Sequence, residues 1–132
     1  MTRYALIYVF TLAVFLAIDY VWLTQAAKSF YFERLGPLLA ENPKLGAAAV
    51  FYAIYVVGIL YFAVMPGIQE GAARTALING ALFGFFAYAT YDMTNYATLK
   101  VWPVSVVLVD VAWGTFLTSV SAFAGYWISR FV

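Results

Sequence analysis

Four apolar stretches, at about 4–24, 45–65, 74–94 and 104–129, take up most of this 132-residue chain, and the segments between them are too short to fold alone. Each is close to the roughly 20 residues that carry a helix across a hydrocarbon core. The chain is 66% hydrophobic and 10% charged, with a mean hydropathy of +0.90. A water-soluble domain of this length cannot hide so much apolar surface, because small domains leave much of their surface in solvent. With lipid as the solvent, the backbone must satisfy its own hydrogen bonds, as helices or as a closed barrel. The ten-residue alternation of a barrel is absent. The expected fold is an all-α integral membrane protein, a single domain of four transmembrane helices.

The connectors set the topology. Residues 25–44 mix Lys28, Glu33, Arg34, Glu41 and Lys44 with Phe30, Tyr31, Phe32, Leu35, Leu38 and Leu39, as an amphipathic segment at the membrane interface does. Pro66-Gly67 is expected to end the second helix, and Pro103 fits the first turn of the fourth. Short links make successive helices antiparallel, which predicts an up-down-up-down bundle with both termini on one side. The start Met1-Thr2-Arg3 resembles a secretory leader, but the apolar run continues through Thr24 without a small-x-small cleavage site, so it reads as a retained helix. Arg3, Arg74 and Arg130 fall on the side of the termini, and Lys28, Arg34, Lys44 and Lys100 on the other. The longer loop leans the four-charge side toward the cytoplasm, but so even a balance leaves orientation open. Gly80 and Gly84 form a G-x-x-x-G pattern that serves either packing within the bundle or a homodimer seam.

Asp19, Asp92 and Asp110 lie inside these apolar stretches. A carboxylate at the centre of a bilayer costs roughly 2.5–3.5 kcal/mol on the more lenient scale, so each marks a functional site or a required interhelical bond. Asp19 is about 7 Å from the end of its helix and Asp110 about 10 Å beyond Pro103 by the helical rise. With alternating helix directions, all three fall in the half of the bilayer opposite the termini. Asp19-Tyr20-Val21-Trp22-Leu23-Thr24 and Asp110-Val111-Ala112-Trp113-Gly114-Thr115 share Asp-x-x-Trp-x-Thr, which puts each tryptophan on the helix face of its aspartate. On antiparallel helices these elements would be an inverted pair. Around Asp92, Tyr88 and Asn95 lie one turn to either side and offer hydrogen-bond donors. Carboxyls gathered in one low-dielectric place suit general acid–base chemistry or proton-coupled transport. Asp92, Asp110 and Asp19 are therefore the candidate catalytic residues, and Trp113, Trp22, Tyr88 and Asn95 the candidate substrate-binding ones. The bland alternative is that acids near helix ends bond to Lys100, Thr24 or backbone amides.

The chain has no cysteine and no histidine, which removes thiolate, iron–sulfur and imidazole chemistry. No metal site and no cofactor are expected, and a net charge of +1 gives no reason to expect nucleic acid binding. Aromatic residues make up 20% of the chain. Tyr4, Tyr31, Tyr96, Trp102 and Trp127 suit interfacial belts. Phe51, Tyr52, Tyr55, Phe62, Phe85 and Phe86, inside the spans, either pack between helices or wall a lipid pocket, where they can stabilise a cationic intermediate.

With these residues in hand, the chain resembles the bacterial family of small predicted membrane proteins called domain of unknown function 2177. The likeness rests on Asp19-Tyr20-Val21-Trp22-Leu23, the run from Tyr91 to Lys100, Trp102-Pro103 and Asp110-x-x-Trp113-Gly114, and covers essentially the whole chain. It implies a multi-pass protein of the bacterial inner membrane and assigns no reaction. Relatives often sit near genes for fatty-acid modification, which points to membrane lipid metabolism, with membrane lipids as partners. The expected function is an enzyme or a lipid-binding helper of that metabolism. The alternatives are an accessory subunit bound to a larger membrane-protein partner, or a small proton-coupled transporter.

Overall fold

A computed structural model of the chain describes residues 2–40 and 42–132. Met1, from the leader-like start, and Glu41, from the expected interfacial segment, lie outside the described residues. Among those residues every regular element is helical. Helix α1 (Thr2–Val21) runs on through a wide π-type turn, Trp22–Ala26, closed by the Ala27 amide donating to Trp22 O at 2.8 Å. The short α2 (Lys28–Leu35) and a 3-10 turn (Gly36–Leu38) follow. A second long rod comprises α3 (Leu45–Ile59), a π-type turn (Leu60–Val64) and α4 (Met65–Glu70). Helices α5 (Ala73–Thr98) and α6 (Val104–Ser129) complete the chain.

Pro66 does not end the second rod, contrary to expectation. Proline lacks the N–H that would bond the carbonyl one turn back, and its ring crowds that carbonyl. The π turn just before it widens the helix, and Asn79 Nδ2 of α5 donates to Phe62 O at 3.2 Å, the carbonyl that Pro66 cannot serve. The rod ends four residues later at Glu70, with Gly71 (φ 66°) as its cap. There the amides of Gly71 and Ala72 bond Ile68 O and Gly67 O, closing a Schellman cap that needs a left-handed residue. Replacing Asn79 with Leu is expected to lower stability by about 1 kcal/mol, since it leaves the Phe62 carbonyl without a donor. Unfolding in mixed micelles measures this; an unchanged midpoint would show that the proline kink is held by other contacts.

Helix α6 is the central element. Its buried face carries Leu117, Thr118, Ser121, Ala122, Gly125 and Tyr126. Helix α5 runs antiparallel along it, with Gly80 against Ser119 and Ala122, and Gly84 against Gly114 and Thr118. The G-x-x-x-G face is therefore occupied by packing inside the molecule. Helix α1 covers another side of α6, with Thr11 at Gly125 and Arg3 Nη2 donating to Ser129 O at 3.1 Å. Ile7, Phe15, Tyr55, Val56, Ile59 and Leu117 form the shared apolar core. Large side chains such as Val9, Leu45, Ile54 and Leu108 point outward, more than half exposed, as lipid-facing positions are.

Three rods, Thr2–Ala26, Leu45–Glu70 and Val104–Ser129, are long and apolar enough to cross a membrane. Helix α5 has 26 residues and extends four beyond the expected limit, to Thr98, but it is more polar than the others. Pro103 sits just ahead of α6 as its N-cap rather than inside its first turn.

Candidate functional site

Asp19 sits 7% exposed on α1, one turn before the π turn. Two neutral donors reach it from other helices, Tyr52 Oη of α3 at 2.9 Å and Trp113 Nε1 of α6 at 3.1 Å. One carboxylate thus joins the first, second and last long rods. Trp113 also stacks on Trp22, with centroids 4.3 Å apart and planes 9° from parallel. The two Asp-x-x-Trp-x-Thr elements therefore meet face to face, and the tryptophan of one bonds the aspartate of the other. Their threonines match too, Thr24 Oγ1 donating to Tyr20 O and Thr115 Oγ1 to Val111 O, both at 2.8 Å.

The π turn redirects the chain after Trp22 so that α2 folds back against α6. Tyr31 Oη donates to Asp110 Oδ1 at 2.8 Å, and Arg34 Nε to Ser105 Oγ at 3.0 Å. Burial and the Asp110 carboxylate raise the Tyr31 phenol far above its ordinary pKa, so it stays a proton donor. Asp92 is 0% exposed, beside Asp110 and the Trp102 indole. Neither of its oxygens has a hydrogen-bond partner, and neither does Trp102 Nε1. Among the described residues the one ion pair is Arg34–Glu33 at 3.6 Å, so none of the three aspartates is paired with a cation, Lys100 included.

Asp19 and Asp110 open on a cavity of about 670 Å³. Trp22, Trp113, Tyr31, Tyr52, Tyr55, Tyr88 and Tyr91 supply most of its aromatic wall. The Tyr88 ring reaches its place only because residue 114 is glycine; any Cβ there would enter the ring. A smaller cavity of about 310 Å³ adjoins, lined by Lys28, Phe32 and Trp102 and sharing Tyr31, Tyr91 and Asp110 with the larger one. The volume of the larger lies within the roughly 300–1,000 Å³ of small-molecule sites. Among the described residues, no group of three or more Asp, Glu, His or Cys side chains is placed to hold a metal ion.

Of the residues singled out from sequence, Asp19, Asp110, Trp22, Trp113 and Tyr88 share the cavity wall, and Asp92 lies against Asp110 behind it. Asn95 lines neither cavity and lies beside Tyr91. Phe51, Tyr52 and Tyr55 do face the space, whereas Phe62 stacks on Phe83, and Phe85 and Phe86 point outward. Tyr31, which from sequence suits an interfacial belt, is also a direct partner of Asp110, a role the sequence did not reveal. The spacing of Tyr52 to Tyr55 and of Tyr88 to Tyr91, three residues each, marks one helix face and is the signal that identifies these walls.

No curated protein and no solved structure matches the chain. A family model described as "Predicted membrane protein (DUF2177)" matches residues 4–127, nearly the full length and all the residues of the site. The chain belongs to this DUF2177 family of membrane proteins.

Proposed function

We propose that this is a four-span protein of the bacterial inner membrane that holds a membrane lipid in its carboxylate-lined cavity, serving lipid metabolism as an enzyme or a lipid-binding helper. The observation that carries the reading is the cavity itself: two carboxylates, aromatic walls and a volume of about 670 Å³, set in a bundle whose outer surface is apolar. In this reading α5 is the fourth span of an up-down-up-down bundle. Its exposed hydroxyls bond their own helix, Thr90 to Phe86 O, Thr94 to Thr90 O and Thr98 to Thr94 O, which lets a polar helix lie in lipid. The segment from α2 through the 3-10 turn lies at the interface and roofs the cavity. Asp110, with Asp92 against it, is the acid–base pair, Asp19 fixes the wall, and Trp22, Trp113 and Tyr88 contact the substrate, while Asn95 supports Tyr91 from outside.

A proton-coupled transporter is the second reading, favoured by the bare Asp92 beside Asp110. An accessory-subunit role, or a homodimer, would use an outer surface, since Gly80 and Gly84 are covered by α6.

Untargeted lipid mass spectrometry on cells with the wild-type chain, with Asp92→Asn/Asp110→Asn, or with no copy tests the proposal. A lipid species is expected to appear or vanish only when both aspartates are intact. Three identical lipid profiles would set the reading aside and turn the search to a partner complex.

A further inference from the structure

Among the described residues, every donor that reaches the two cavity carboxylates is neutral. Asp19 receives a phenol and an indole, and Asp110 a phenol. Among the described residues, no lysine or arginine lines the larger cavity. Lys28 lines the smaller cavity, which shares Tyr31, Tyr91 and Asp110 with the larger, and it makes no ion pair with Asp110. Arg34 is engaged with Ser105, the Phe30 ring and Glu33. Negative charge in a half-open cleft with a mostly apolar, aromatic wall attracts a cation more strongly than it does in open water, because the wall screens it poorly.

We infer that the larger cavity receives an organic ammonium group, carried on an apolar chain, between Asp19, Asp110 and the faces of Trp22, Trp113 and Tyr88. The inference rests on the reading of the cavity as a lipid site and names the headgroup chemistry. Two features select this class over other cations. A bare divalent metal needs a cage of six or more oxygens, or retained water, and the wall offers two separated carboxylates among rings. An alkylated ammonium is weakly hydrated and is attracted to the faces of tryptophan and tyrosine. A phosphate or carboxylate headgroup meets repulsion from Asp19 and Asp110 with no basic wall residue to offset it. A lipid headgroup and a free lipophilic amine share this chemistry.

The test uses the full chain in a neutral maltoside detergent, following tryptophan fluorescence, since Trp22 and Trp113 form part of the wall. Dodecyltrimethylammonium is expected to bind saturably, and dodecyl sulfate and dodecanol not to. Asp19→Asn and Asp110→Asn should each weaken dodecyltrimethylammonium about tenfold or more, as loss of one partner of a desolvated charge pair does. Trp22→Leu, which removes neither donor to Asp19, should weaken it as well, and unfolding midpoints near wild type for these variants exclude a folding defect. Dodecylphosphocholine binding alongside the free ammonium assigns the site to headgroups, and its exclusion assigns it to lipophilic amines. Equal saturable binding of dodecanol and dodecyltrimethylammonium would overturn the ammonium inference and leave the lipid site standing. If no probe binds saturably, both fall.

Discussion

Asp92→Asn should make the protein more stable and inactive at the same time. Asp92 has no exposed surface and neither oxygen has a partner, while Asp110 lies against it. A buried polar group without a hydrogen bond costs free energy, and a second acid beside it adds to that cost. An amide of the same shape carries no charge and can donate toward Asp110, so the variant is expected to gain about 1–3 kcal/mol. The lipid change attributed to the intact protein should disappear with it. Asp92→Leu should also remove the activity, with no polar atom left at this position to face Asp110. Unfolding midpoints in detergent, measured beside lipid profiles from the same variants, supply both readouts. A loss of stability in Asp92→Asn would make this carboxyl a required structural bond instead.

The second large effect concerns backbone contact. A Cβ on Gly84 would stand 2.5 Å from Gly114 O and 2.7 Å from Thr118 Cβ. The carbonyl belongs to the backbone of α6 and cannot turn aside, and Thr118 is bonded to Tyr55 Oη at 2.7 Å. Helices α5 and α6 must separate to admit one methyl group, and overpacking of this kind costs about 3 kcal/mol. The cavity should suffer with the fold, because Tyr88 lies one turn along the same interface. Gly46→Ala is the matched control, with nothing within 4 Å of the added carbon, and its midpoint should stay level or rise. Equal midpoints for the two variants would refute the close packing of α5 on α6.

The long rods were legible in the sequence because a run of apolar residues is a one-dimensional signal. The gathering of the aspartates was legible for a related reason: the alternating helix directions expected from short links predict Asp19, Asp92 and Asp110 near one level. The structure has Asp19 and Asp110 on one cavity with Asp92 beside Asp110. What stayed hidden depended on a neighbour. Pro66 reads as a stop, yet the rod continues past it through a π turn whose Phe62 carbonyl is served by Asn79, on a different helix. The π turn after Val21 has no compositional mark, yet it carries Tyr31 back onto Asp110. Trp113 was paired with Asp110 by spacing along its own helix, whereas its indole bonds Asp19 across 94 positions of chain. Helical periodicity shows which side chains share a face, and it is silent on which face of another helix they meet.

That long-range bond also orders events in time. Asp19 lies on α1 and its indole donor on α6, so the donor is synthesised 94 residues after the acceptor. Until then the first helix carries a polar group lacking half its partners, so the growing chain has reason to keep that helix near water or near whatever inserts it. A chain cut short before Trp113 would lack both that bond and the part of the cavity wall the indole supplies.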